Sequence, residues 1–189
     1  MIKLDIQDAD FYYYPQFISN ADSSIIFVDL IQNVPWVQEE VFLYGKHSVA
    51  PRHIALFGRY PYTYGGKVHC PLPDNEHVET MLDIVNRFTK HSFNSVLLNL
   101  YTSGKDYIGF HSDNEPQLGK NPTIASLSFG LERIFYIKHK TSGKLHKILL
   151  EHGSLLVMGN NSQTLYSHSL PKMSKLAGTR LNLTFRTIL

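Results

Sequence analysis

Residues 180–186, Arg-Leu-Asn-Leu-Thr-Phe-Arg, alternate without exception between polar and apolar side chains. A period of two belongs to an extended strand and excludes a helix, whose faces repeat every ~3.6 residues. Leu181, Leu183 and Phe185 need an apolar core on one side. Arg180, Asn182, Thr184 and Arg186 share the other side, where two guanidinium groups and two hydrogen-bonding side chains demand a polar filling. Such a strand is stable in the wall of a β-sandwich or barrel whose interior opens at one end to a polar ligand.

The text upstream supplies the other walls. From Asn94 onward, 95–101, 124–129, 134–139, 147–150, 154–158 and 180–187 alternate or form short apolar runs between Gly, Pro, Asn and Ser. Thr141-Ser-Gly-Lys144 reads as a hairpin turn. Two helices precede them. One is expected over 20–31, capped by Ser19 or Asn20 and ended by Pro35, with Ile26, Phe27, Leu30 and Val34 on its apolar side. The other is expected over 75–90, capped by Asp74, with Val78, Met81, Leu82, Val85 and Phe88 at helical spacing. The expected class is α+β: a double-stranded β-helix (jelly roll) with the N-terminal helices packed on one sheet.

At 189 residues, 43% hydrophobic and 18% charged, the chain is expected to form a single domain, 1–189. Its net charge of +2 only weakly favours a polyanionic partner. Cys70 stands alone, which excludes an intrachain disulfide and a thiolate metal cluster. The first residues lack a basic start followed by an apolar run, and no apolar stretch approaches a membrane span. The expectation is a soluble intracellular monomer, cytoplasmic in a prokaryote or nuclear in a eukaryote.

His111-Ser-Asp113 sets an imidazole and a carboxylate two residues apart, so both reach one point from an extended segment. Two imidazoles and one carboxylate with open positions form the ligand set of non-heme Fe(II) oxygenases, and His168 offers the second imidazole. Each signal has a plainer reading: His168 as a core histidine, Arg180 and Arg186 as a salt-bridged surface. The order His-x-Asp, His, Arg favours the metal. Guanidinium forks hold carboxylates through two parallel hydrogen bonds, which lysine lacks. Ligand set and basic strand together point to an iron- and 2-oxoglutarate-dependent dioxygenase. Asn99 and Tyr101 share one face of their own strand.

These residues carry a resemblance to the AlkB family of nucleic-acid dealkylating dioxygenases, in its eukaryote-type branch. The similar text is Phe93-Asn-Ser-Val-Leu-Leu-Asn-Leu-Tyr101, His111-Ser-Asp-Asn-Glu-Pro116, Ile124-Ala-Ser-Leu-Ser-Phe-Gly130, Glu151-His-Gly-Ser-Leu-Leu-Val-Met158, His168-Ser-Leu-Pro171 and residues 180–186. Tyr44-Gly-Lys46, Pro51-Arg52 and Pro61-Tyr-Thr-Tyr64 also match. The resemblance implies Fe(II) on His111, Asp113 and His168, with 2-oxoglutarate and O2 as cosubstrates. It gives Arg180 to the distal carboxylate of 2-oxoglutarate, and Arg186, Asn182, Thr184, Asn99 and Tyr101 to the rest of that pocket. Residues from about 1 to 92 become the helical, nucleotide-recognition part and 93–189 the jelly-roll core.

On the substrate side the resemblance implies that Tyr62 and Tyr64 sandwich a flipped base against the His111 ring. Tyr44 fills the space that the base leaves, Glu115 meets the base edge, and Arg52 braces Glu115. Lys46 and Asn114 join this group, although the family carries Asp where this chain has Asn114. The implied reaction is oxidative demethylation of 1-methyladenine and 3-methylcytosine in alkylated DNA, with RNA as an alternative polymer. A dioxygenase acting on a protein or small molecule, or a non-catalytic binding module, are the other readings. Lys138, Lys140, Lys144, Lys147, Lys172 and Lys175 either track phosphates or form a solvated charged face.

Overall fold

A computed structural model describes residues 1–43 and 46–189, with side chains described outside 41–47. Tyr44 lies outside the described residues, as does the side chain of Lys46. In chain order the elements are β1 (Ile2–Lys3), β2 (Asp10–Tyr14), α1 (Asn20–Asn33), β3 (Val37–Leu43), β4 (Lys46–Gly58), β5 (Tyr62–Tyr64), β6 (Lys67–His69), α2 (Glu76–Thr89), β7 (Ser95–Tyr101), β8 (Ile108–His111), β9 (Ile124–Gly130), β10 (Arg133–His139), β11 (Leu145–Leu150), β12 (Ser154–Gly159), α3 (Ser162–Leu165), β13 (Tyr166–Leu170) and β14 (Arg180–Arg186). An eight-stranded sheet runs β1-β2-β12-β9-β14-β7-β4-β3, a four-stranded sheet runs β11-β10-β13-β8, and β5-β6 form a hairpin. All the paired strands are antiparallel. This is the double-stranded β-helix expected from the strand pattern.

The alternation in β14 decides where each layer sits. Leu181, Leu183 and Phe185 are fully buried with Leu98, Leu127, Leu30, Val78, Met81 and Val85, so α1 and α2 cover this face of the large sheet. The opposite face meets the small sheet, and Tyr13, Leu97, Phe135, Ile137, Tyr166 and Leu170 fill the space between. Gly153 turns the chain into β12 with a φ of +73°, where a Cβ would lie 2.6 Å from both Ile18 O and Ser23 Oγ at the start of α1. Only glycine takes that conformation with that close approach.

Helix ends follow local chemistry. Ser19 caps α1 by accepting from the Asp22 N–H, and Val34 is already extended ahead of Pro35. On α2 the cap is Asn75 rather than Asp74: its Oδ1 accepts from the Val78 N–H at 3.2 Å. Phe88 is 46% exposed rather than in the core, its ring edge-on to Tyr14 and Phe17. The larger difference is in the N-terminal half, where β2, β3 and β4 extend the main sheet. β4 carries Pro51 and His53, which blur any alternation. Its register with β3 shifts between Gln38 and Glu40, opposite the stretch containing Pro51. Proline cannot donate to a ladder, so an irregularity there is its natural place. No helix of the described residues is long and apolar enough to cross a membrane.

Candidate active site

Antiparallel pairing brings the two histidines together. β13 and β8 are neighbours at the edge of the small sheet, and His168 is the register partner of His111. Their rings sit edge to face with centroids 4.3 Å apart. Asp113 follows two residues beyond His111, and one ligand atom from each of His111, Asp113 and His168 lies within 4.8 Å of the others. Two imidazoles and one carboxylate gathered this closely could hold a single metal ion. Two bonds tie the 111–113 segment to the approach of β13: Ser112 Oγ donates to Tyr166 O at 2.8 Å, and the Asp113 N–H donates to Gln163 Oε1 at 2.9 Å.

The electrostatics suit a divalent cation. Burial pushes the Asp113 carboxyl up, but Arg186, His168 and His111 outweigh it and hold the group near 2. Burial, with His111 and Arg186 nearby, pushes the His168 imidazole down to about 3 against the pull of Asp113. At neutral pH the pair is therefore one carboxylate and one neutral imidazole, both in donor form. Arg186 Nη2 donates to Asp113 Oδ1 at 2.9 Å, and both side chains are almost wholly buried.

Above this cluster the polar face of β14 lines the cavity. Thr184 donates to Asn182 Oδ1, and Asn182 donates to Ser126 Oγ and Leu127 O, so this pair is fixed by its neighbours. Arg180 donates to Ser128 Oγ at 2.9 Å and lies over the Tyr101 ring at 5.5 Å. Burial, with Arg133 near, pushes its guanidinium down to about 10. Among the described residues no carboxylate pairs with Arg180. Its Nε, together with Nε and Nη1 of Arg186, is buried with no hydrogen-bond partner. Buried N–H groups without acceptors are costly, and a keto acid carrying two carboxylates is what would satisfy them. The donor set thus fits both iron and 2-oxoglutarate.

Asn99, Tyr101, Arg52, Tyr62, Tyr64 and Glu115 line the same cavity. Several placements differ from expectation. Arg52 Nε donates to Asn99 Oδ1 at 3.0 Å, and no ion pair joins it to Glu115; it braces Asn99 instead. Tyr62 is 1% exposed with the Arg186 guanidinium 5.2 Å over its ring, so it forms a wall rather than a free stacking platform. Burial pushes both tyrosine hydroxyls far up, which keeps them protonated. Asn114 is exposed and lies outside the cavity lining.

Sequence reasoning missed two contributors. Gln163 is the clamp on Asp113. His69 stacks on Tyr64 at 4.1 Å and 16°, with Glu39 Oε1 3.6 Å from its Nδ1. His69 thus closes one face of the Tyr64 ring. The Gly65-Gly66 pair, both with positive φ, was the available signal: such a two-residue turn fixes hairpin register and makes Tyr64 and His69 diagonal neighbours.

Fold and site together define a class, and residues 10–186 match the 2OG-Fe(II) oxygenase superfamily. The chain is 39% identical to the alpha-ketoglutarate-dependent dioxygenase alkB homolog 3 of Bos taurus, across 92% of this chain and 64% of that protein. It is 37% identical to the DNA oxidative demethylase ALKBH2 of Homo sapiens, across 93% of this chain and 72% of that protein. The solved structure of OsALKBH1 shares the fold, with a TM-score of 0.63 at 22% identity, covering 94% of this chain and 97% of the other. The chain belongs to the AlkB family within that superfamily, and Fe(II), 2-oxoglutarate and O2 are the cofactors this membership brings. It spans just under two thirds of the alkB homolog 3 relatives it matches.

Proposed function

We propose that the chain is an Fe(II)- and 2-oxoglutarate-dependent dioxygenase that demethylates 1-methyladenine and 3-methylcytosine in DNA, reversing alkylation damage directly. One observation carries the reading: the convergent donors of His111, Asp113 and His168 share a cavity with two under-satisfied arginines and the Tyr64 ring. The names of the relatives, a dioxygenase and a DNA oxidative demethylase, support it. The reading is of one catalytic domain acting as an intracellular monomer, in which residues from about 1 to 92 contribute recognition as well as four strands of the main sheet, and 93–189 contribute the metal and most of the cosubstrate residues.

In this reading His111, Asp113 and His168 hold the metal, and Gln163 keeps the Asp113 backbone in place. Arg180 takes the distal carboxylate of 2-oxoglutarate, Arg186 steadies Asp113 and the near end, and Asn182, Thr184, Asn99 and Tyr101 shape the slot. Iron held there, with 2-oxoglutarate and O2, would supply an oxidation that releases the N-methyl group as formaldehyde, with succinate and CO2 as coproducts. Leu97, Phe135, Met158 and Leu170 line the cavity with apolar surface, which excludes water from the reacting atoms. Tyr64, backed by His69, offers its remaining face to the base, and a ring face attracts the positive charge of an N-methylated base. Glu115 would accept from the base edge, a role supported by its carboxylate oxygen that is buried without a partner.

The test is demethylation of matched single- and double-stranded oligonucleotides carrying 1-methyladenine, with iron and 2-oxoglutarate supplied or withheld. Formaldehyde and succinate in equal amounts, only when both are supplied, are expected. Turnover of a free nucleoside or a protein with none on either polymer would overturn the reading.

A further inference from the structure

The outer face of the small sheet takes no part in the cavity. Its four strands, β8, β10, β11 and β13, contain no Asp or Glu. Phe110, 48% exposed, and Tyr136, Lys138 and Lys147 face outward on it. Strand pairing sets a row across the sheet: Lys147 opposite Tyr136, Tyr136 opposite Ser169, and Phe110 beyond on β8. Ser169 is too small to fill its place, so the Tyr136 and Phe110 rings approach across it, stacked at 6.5 Å between centroids and 23°. Each ring carries a cation: Lys138 Nζ stands 5.4 Å from the Phe110 centroid and Lys147 Nζ 5.5 Å from that of Tyr136. The row crosses three inter-strand gaps, about 14 Å. It ends at Phe110, whose chain neighbour His111 is in the cavity wall.

Flat rings interleaved with ammonium groups, on a sheet with no acids, match the chemistry of a single nucleic-acid strand. Bases stack on the rings and phosphates meet the lysines. An acidic peptide would use the lysines and leave the ring faces idle. We propose that this face docks the single-stranded DNA next to the target nucleotide, guiding that nucleotide past Phe110 to His111. The proposal rests on the reading of the protein as a DNA demethylase and adds the path of the flanking strand.

Fluorescence anisotropy with labelled, unmethylated single-stranded DNA tests the face without requiring turnover. The metal- and 2-oxoglutarate-loaded protein is compared with Tyr136→Ala and Lys147→Ala, on strands that carry no proposed metal ligand. Each substitution is expected to weaken binding about tenfold, the scale of one lost base–aromatic stack or phosphate contact. Lys147→Ala should also flatten the dependence on salt. Unchanged 2-oxoglutarate affinity in both variants shows that the fold is kept. DNA affinity equal to the parent's in both variants overturns the proposal. So does loss of binding to anionic phospholipid vesicles with DNA binding intact. If the parent demethylates oligonucleotides while the variants bind as it does, the docking face alone fails. If the variants lose DNA binding but the parent demethylates no polymer, the functional reading alone fails.

Discussion

Replacing Arg186 by Met tests the electrostatic design of the site. Arg186 Nη2 lies 2.9 Å from Asp113 Oδ1, with side-chain exposures of 6% and 5%. Removing one partner of so buried a pair leaves an uncompensated charge, at a cost of about 3–5 kcal/mol. For a domain of this size each kcal/mol moves Tm by roughly 2–4 °C, so the metal-free variant should melt about 6–20 °C lower at neutral pH. Calorimetry of chelator-treated protein reads this directly. Arg186→Met combined with Asp113→Asn removes both charges, and the double variant should regain a large part of the loss. Bound metal should rescue the single variant, since a cation again faces Asp113. A single variant within about 2 °C of the parent would refute the reasoning; so would a double variant no more stable than the single.

Arg180→Lys keeps a charge but loses the planar fork, and should raise the 2-oxoglutarate Kd at least about tenfold while leaving the DNA Kd unchanged; equal losses in both would contradict the assigned slot. The metal-free protein should also lose stability in acid. His168 is held near 3, so below about 6.5 the unfolded chain binds a proton that the folded chain refuses, and stability falls as pH drops from there toward 3. Asp113, held near 2, continues the loss from about 3.8 down to 2, where its folded form protonates. His168→Gln should flatten the upper part of that curve in a series of Tm against pH, and an unchanged slope would show that residue 168 is not the group responsible. Tyr64→Ala should raise KM for a methylated oligonucleotide about tenfold, the scale of a lost stack, without altering 2-oxoglutarate affinity; a parallel loss of both would assign the ring to the cosubstrate side.

What was legible in the sequence was what local pattern dictates. The strict alternation of 180–186 fixed both the strand and the sense of its two faces, and the burial of Leu183 and Arg186 on opposite sides follows from it. His-x-Asp was readable because an extended segment sends both side chains one way. Register was not readable. That His168 stands opposite His111, or that Gln163 reaches the Asp113 N–H, depends on pairings between segments far apart in the chain. β4 was hidden by Pro51 and by its mixed polarity, although it occupies the main sheet beside β7. Arg52 was expected at Glu115, but Asn99 is the register partner of Ile54 on the same strand and offers the nearer acceptor.

The most direct measurement is anaerobic titration of the purified chain with Fe(II) and then with 2-oxoglutarate, in the parent and in His111→Ala, Asp113→Ala and His168→Ala. One iron and one iron-dependent 2-oxoglutarate per chain are predicted for the parent, with circular dichroism unchanged and iron binding lost in each variant. Stoichiometric iron retained by any of the three would contradict the shared centre on which the account is built.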